Sequence, residues 1–375
     1  MTQPIQSPQH TYLVNAVLSL AAAHKAYLVP ANPRYHRANY ILLDKSLHDY
    51  RKALSSPITS TNCDALLGTA ILVHHLMWCD LSFMEVREHH HQAGGLDLSA
   101  DRLYWLSTGV RQIFFMAWPL FQTARSVFMR VPVLQPCMAL EDNVDARGLN
   151  WQRTAQGFMD LYDNPRYQGG RGAFEPAYSP FSSRTVSQVS GTGSGVVFDG
   201  GSNLQEGAAA PFGAESLDGN LFKVATLWDS YRMGEVFVES AGQQDKLLER
   251  AAYERLVVRL AVAIAFIEGR GSGGCPAAGP TPPDCARSAL TQADIVRYVL
   301  TFPMLCFGPF LPLISSGDSR ALVVLFHIYR VVRILLPTDE FWWCRRRAEV
   351  MESAIGGELR ARGLEFCIRR QNEVV

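Results

Sequence analysis

The stretch Glu88-His-His-His-Gln-Ala-Gly-Gly95 gathers three imidazoles, and His74, His75 and Cys79 precede it by a few helical turns. These residue types ligate transition metals and move protons near neutral pH. Ligands must converge on a point, however, and consecutive helical residues diverge by about 100°, so His89, His90 and His91 cannot all reach one ion from a helix. Two pairs at i, i+4 share a face, His75 with Cys79 and Glu85 with His89. Each pair supplies two ligands, where a structural zinc takes four and a catalytic zinc usually three from the protein. A structural reading covers more of the pattern. Apolar residues 65–77 drive a helix by burial, His89 to His91 fall near its negative C-terminal pole, and Gly94 supplies a left-handed stop. No metal ligand set and no cofactor are assigned.

Nucleophilic chemistry has no local signature either. No serine lies in a Gly-x-Ser-x-Gly elbow, and the eight cysteines are scattered without a Cys-x-x-Cys pair, the usage of reduced, buried thiols in an intracellular protein. Gly191, Gly193 and Gly195 depart from the dinucleotide-loop spacing and have no flanking strand or helix. His24 and His327 sit singly within apolar helices, where each reads as a hydrogen-bonded core histidine able to meet a polar group on a ligand. No catalytic residue is named.

The elements that position these groups are helical. Tyr40, Leu43, Leu47, Tyr50 and Leu54 recur at three and four residues, and Pro57 closes that helix. The same spacing joins Leu103, Leu106, Val110, Ile113 and Ala117, with Ser99 as the expected N-cap and Pro119 as a kink or stop. It joins Tyr253, Leu256, Leu260, Ile264 and Ile267 as well. Ala321, Val324, Ile328, Val331 and Leu335 follow a capping Asp318 or Ser319, and Cys344, Ala348, Met351, Ile355 and Leu359 form the last stripe. Residues 13–27 and 65–77 are apolar nearly all round, which places both inside a bundle. No segment alternates at period two, so the fold class is all-α, a multi-helix bundle.

Two segments interrupt the pattern. Residues 164–220 hold 23 Gly, Pro or Ser among 57 and no sustained apolar period, which predicts a disordered insertion between a first helical part, 1–163, and a second, 221–375. Residues 269–284, nine of sixteen Gly or Pro, predict a flexible linker. The whole chain of 375 residues carries no net charge, so its average surface attracts neither nucleic acid nor anionic lipid. The apolar run 13–23 is broken by Asn15 and Ser19 and is too short to span a bilayer. Residues 1–10 lack the basic cluster of a secretory signal. No membrane span is expected, and the location is intracellular.

Three segments are more specific than a generic bundle. His10-Thr-Tyr-Leu-Val-Asn-Ala-Val-Leu-Ser-Leu-Ala-Ala-Ala-His24 with Tyr40, Leu106-Ser-Thr-Gly-Val-Arg-Gln-Ile-Phe114, and Gly317-Asp-Ser-Arg-Ala-Leu-Val-Val-Leu325 with Phe341-Trp-Trp-Cys-Arg-Arg-Arg-Ala348 occur in that order. Together they resemble the regulatory domain of fungal sterol-uptake-control-type transcription factors, over about 9–130 and 294–357. Thr11 and Ser319 stand where that family favours proline, and Thr108 where it favours arginine. The resemblance implies an α-helical ligand-sensing domain that takes a sterol or another apolar molecule. The family's six-cysteine, two-zinc DNA-binding module is not found in this sequence, so specific DNA binding by the chain itself is not expected. A truncated regulator and a stand-alone relative both fit that departure.

Within the matched residues, Trp342 and Trp343 lie about 100° apart on a helix, which sends one indole into the bundle and leaves the other at its rim. Arg345 to Arg347, balanced by nearby glutamates, read as a solvated face. Helical bundles hold apolar cavities between helices, with a few polar groups to orient a ligand. Trp118, Trp228, Tyr231 and His327, large amphipathic side chains on apolar stripes, are the candidate lining. The leading expectation is a nuclear, alternatively cytoplasmic, transcription-regulating protein. It would sense a hydrophobic small molecule, sterol-like or a specialised metabolite, contact other transcriptional proteins and form a homodimer. An enzyme or carrier of specialised metabolism using the same cavity is the alternative. A metal-dependent enzyme centred on His75, Cys79 and His89 is a third reading.

Overall fold

Apolar periodicity without strand alternation yields helices throughout, and no strand occurs among the described residues. A computed structural model describes residues 10–85, 96–130, 136–169, 241–271, 290–337 and 339–365. The chain opens with an antiparallel hairpin, α1 (Thr11–Leu28) and α2 (Pro33–Leu54). Asn32 caps α2 by accepting from the Arg34 amide, with Pro33 at the first helical position, where its missing N–H costs nothing. Ser19 donates to the Asn39 side chain at 2.6 Å and Ser46 to the Tyr12 carbonyl at 2.7 Å, so this seam is closed by hydrogen bonds as well as by packing. The expected stripe on α2 is only partly covered, because Tyr40 is 67% exposed while Ser46 and Tyr50 turn inward.

The helix α3 (Cys63–Cys79) follows, then the single turn α4 (Ser82–Glu85) and the long α5 (Arg102–Ala124). The Cys63–Met84 stretch is long and apolar enough to cross a membrane. Leu66, Leu67, Val73, Leu76 and Trp78 are nevertheless buried inside the fold, so its hydropathy reports a core helix. The expected cap of α5 changes, and of the kink or stop expected at Pro119 the stop does not occur. The start of the helix is fixed by Asp101, whose Oδ1 accepts from the Leu103 amide at 3.0 Å, and not by Ser99, whose own amide is taken by Asp97. Pro119 neither stops the helix nor marks its end. Ala117 and Phe121 are buried on either side of it, and burial of such side chains, about 2–3 kcal/mol for a Phe, offsets a proline cost of about 3 kcal/mol.

The short α6 (Pro136–Ala146) and the amphipathic α7 (Trp151–Asp163) lead to a 3-10 turn, Pro165–Tyr167. That turn belongs to the expected insertion, yet it is packed: Tyr167 is buried and the Gly169 amide donates to Asp318 at 3.0 Å. Most of 164–220, with 221–240, lies outside the described residues. The chain resumes with α8 (Ala241–Gly271), whose last turn takes in Gly269 to Gly271 of the expected linker. The remaining helices are α9 (Gln292–Leu305), α10 (Phe310–Ser315), α11 (Ser319–Leu335) and α12 (Trp342–Ala361). Residues 1–174 and 240–375 form one unit. The main core of that unit is built on α8, buried on every side from Leu260 to Phe266, and on α11, buried from Ser319 to Tyr329. A second core cluster joins α1, α2, α3 and α5 around Leu66, Val110 and Phe121.

Gly317 ends α10 at φ +63°, where a Cβ would be strained. Its amide donates to Ile314 and the next amide to Leu313, the paired bonds of a left-handed helix stop. Asp318 then caps α11 through the Arg320 amide at 2.8 Å and holds the Arg320 guanidinium through both carboxylate oxygens. Arg362 donates to the Gly317 carbonyl and to Ser319. A loop that reads in sequence as a simple turn is therefore tied to two distant segments, the turn before Gly169 and the end of α12.

Candidate functional site

The most heavily built polar cluster lies where α3, α5, α11 and α12 meet. Arg347 is its centre, and its side chain is 0% exposed. Its position explains this: it follows Trp343 by four residues and precedes Met351 by four, on the buried face of α12. Nε donates to the Tyr329 hydroxyl at 3.1 Å, Nη1 to the carbonyls of Met77 at 3.1 Å and Asp80 at 2.7 Å, and Nη2 to Asp101. Tyr329 and Tyr104 share a hydrogen bond of 2.7 Å. One guanidinium thus satisfies carbonyls at the end of α3, neutralises the residue that caps α5 and anchors a tyrosine of α11. The expectation that Arg345 to Arg347 form a solvated face holds for Arg345 and Arg346 and fails for Arg347.

Electrostatics follow from burial. Burial would lower the Arg347 pKa, but the Asp101 carboxylate and the neighbouring tyrosine oxygens hold it above its ordinary value. Burial raises Tyr104 and Tyr329, so both remain phenols. His74 is lowered to about 4 by burial, then by the His75 and Arg347 charges, and His75 is lowered to about 4 by burial. Burial pushes the thiols of Cys79 and Cys344 up to about 12. Around Arg347, then, histidines are neutral and thiols protonated at pH 7.

Among the described residues, two polar atoms beside this cluster have no hydrogen-bond partner, His74 Nε2 and Trp78 Nε1. They are separated by one helical turn on the inner side of α3. The Trp78 ring lies edge-on to Trp343 at 5.7 Å and to Tyr329 at 6.5 Å, and His75 packs on Trp343 at 4.3 Å. Trp343 is therefore the indole that enters the bundle. Trp342 stays at the rim, stacked on the exposed His24 at 5.0 Å and touching Tyr27. His24 accordingly belongs to the surface and not to the core.

Of the four residues expected to line a cavity, the two that are described, Trp118 and His327, pack on different parts of the core. Trp118 is 44% exposed on α5 and contacts Phe114 and Phe121 of the second core cluster. His327 is buried in the main core between Phe158 at 5.4 Å and Phe326 at 5.1 Å. Trp228 and Tyr231 lie outside the described residues, as do His89, His90 and His91. Among the described residues no group of three His, Cys, Asp or Glu is placed to hold a metal ion. A cleft lined by Leu149, Asn150, Ala265, Glu268 and Gly269 encloses about 180 Å³, less than the roughly 300 Å³ at which small-molecule pockets begin.

Sequence reasoning passed over Arg347, Asp101, Tyr104 and Tyr329. The available signal was a charge inside an apolar stripe: Arg347 sits between Trp343 and Met351 at helical spacing, and Asp101 between Leu98 and Leu103. The chain matches no protein-family model, no curated protein and no solved structure.

Proposed function

We propose that this chain is a regulatory protein of the fungal transcription-factor type, in which an all-helical domain responds to an apolar molecule and acts through contacts with other transcriptional proteins. The observation that carries the reading is the pair His74 Nε2 and Trp78 Nε1, two unpartnered polar atoms on one face of α3 within an apolar interior. A single hydroxyl on an otherwise apolar ligand both donates and accepts. Trp78 N–H donates to it, and neutral His74 accepts from it. A sterol-like alcohol or a hydroxylated specialised metabolite has that chemistry, and it enters by parting the seam between α3 and α12.

Two further observations support binding over catalysis. Groups that transfer protons are tuned toward neutral pH, whereas His74, His75, Cys79 and Cys344 are moved away from it. The segments that resemble the fungal regulatory domain fall on α1, α5, α11 and α12, and the Arg347 cluster links the last three of these helices. Movement at the α3–α12 seam would therefore be felt across the matched elements.

The test is titration of the purified full chain with the fluorescent sterol dehydroergosterol, read by energy transfer from tryptophan. Saturable binding is expected, weakened about tenfold or more in His74→Phe, which removes the acceptor, with circular dichroism unchanged. Absence of saturation, or equal binding by His74→Phe, would overturn the reading. So would turnover of the sterol by the protein.

A further inference from the structure

The formal charge of the chain is zero, but it is not evenly spread. Residues 11–54, the α1–α2 hairpin, contain six Lys or Arg against two Asp, a net formal charge of +4. The hairpin also exposes apolar side chains in a regular row. On α1, Val14, Leu18, Ala21, Lys25 and Leu28 follow at alternating four and three residues, and Val17 lies beside them. Val14 is 42%, Val17 50%, Leu18 48% and Leu28 56% exposed. This row is opposite the side that packs inward, where Leu13 lies over Gly68 of α3 and Ser19 meets α2.

The facing row on α2 is set by the same geometry. Arg34, Ile41, Lys45 and Lys52 are separated by seven, four and seven residues, close to whole turns of a helix, and all four are exposed. Tyr50, whose hydroxyl donates to the Leu66 carbonyl of α3 at 3.0 Å, marks the side of α2 turned toward the body of the protein. Arg34, Ile41, Lys45 and Lys52 lie about a third of a turn or more round the helix from it, across the line that faces α1. The two rows therefore share one solvent-facing side of the hairpin, apolar along α1 and basic along α2. Asp49, the acid nearest to that side, accepts a hydrogen bond from Thr11 at 2.9 Å.

We infer that this face docks the chain on an anionic lipid surface. Apolar side chains in one row beside Lys and Arg in the next are the pattern of helices that lie in the headgroup plane, their apolar edge in the acyl boundary and their cations on lipid phosphates. A second copy of the chain fits less well, since two-fold pairing of this face would gather eight cations, Lys25, Arg34, Lys45 and Lys52 from each copy, into one interface. The exposed apolar area, on the order of a few hundred Å², is also short of the roughly 800 Å² per partner of a stable protein interface. This inference is independent of the ligand reading, since it uses none of the residues around Arg347.

The test is flotation of the full chain with vesicles of phosphatidylcholine alone and with about 30% phosphatidylserine. Binding to the anionic vesicles only is expected, lost at about 0.5 M NaCl. Val17→Asp and the pair Lys45→Glu with Lys52→Glu are each expected to lower partitioning at least tenfold, an order-of-magnitude expectation for losing one inserted side chain or reversing two charges. All of these positions are exposed, and an unchanged circular dichroism spectrum verifies folding. No binding to anionic vesicles, equal binding to neutral ones, or variants that bind like the parent would overturn the inference. So would a dimer in sedimentation that Val17→Asp dissolves, or capture of an acidic amphipathic peptide by a chain that ignores the vesicles.

Discussion

At the scale of residues, the charge of Arg347 is favourable only while its partners are in place. Replacing it with Met leaves Asp101 buried and unpaired, a situation that costs about 3–5 kcal/mol. Arg347→Met is expected to lose stability of that size in urea unfolding. Arg347→Met combined with Asp101→Asn should lose less than the sum of the two single changes, because the second removes the orphaned charge while keeping an oxygen to cap α5. The histidines of α3 set a pH dependence. Their folded pKa values lie below the unfolded value of about 6.5, so the unfolded chain binds more protons and stability falls as pH drops from about 6.5 toward 4. Unfolding at pH 5 should be easier than at pH 7 by about 2 kcal/mol per histidine, and His74→Leu should remove about half of that difference. The α3 histidines stood out in the sequence, but the Arg347 cluster beside them was not legible as a site. Periodicity tells which face of α12 is buried, but a lone Arg on that face has no meaning until α3, α5 and α11 bring Met77, Asp101 and Tyr329 to it from far away in sequence.

At the scale of elements, α12 shows how close its packing is through two adjacent glycines. A Cβ at Gly356 would stand 3.2 Å from the Phe326 ring of α11, whereas one at Gly357 would meet nothing within 4 Å. Gly357→Ala is therefore expected to stabilise the protein by about 0.5–1 kcal/mol, as removal of a flexible mid-helix glycine does. Gly356→Ile must displace Phe326 and should cost about 2 kcal/mol or more. Thermal unfolding of the two variants compares them directly. Helices with one strong stripe were readable beforehand: Cys344, Ala348, Met351, Ile355 and Leu359 are all buried, and the two tryptophans at the start of α12 divide between core and rim. Asp318 was readable as the cap of α11 and Pro57 as the limit of α2, but Asp101 wins over Ser99 through its tie to Arg347, and Pro119 is carried by burial that local propensity does not contain.

At the scale of the whole molecule, the unit made of 1–174 and 240–375 is continuous in space and interrupted in sequence. Helices before the interruption and after it share one core: Phe158 of α7 packs on His327 of α11, and Tyr162 lies 4.8 Å from Tyr253 of α8. Separate fragments 1–174 and 240–375 should each fail to show a cooperative transition and should recover one when coexpressed, which copurification and calorimetry test. The same arrangement bears on how the chain is made. During synthesis, at about 5–20 residues per second, the first half leaves the ribosome with Leu103, Val144 and Phe158 bare, and their cover is translated last. Nascent chains wait on the order of ten seconds or more in that state, so a first half released before α11 and α12 arrive is expected to aggregate, which truncation during cell-free synthesis followed by sedimentation checks.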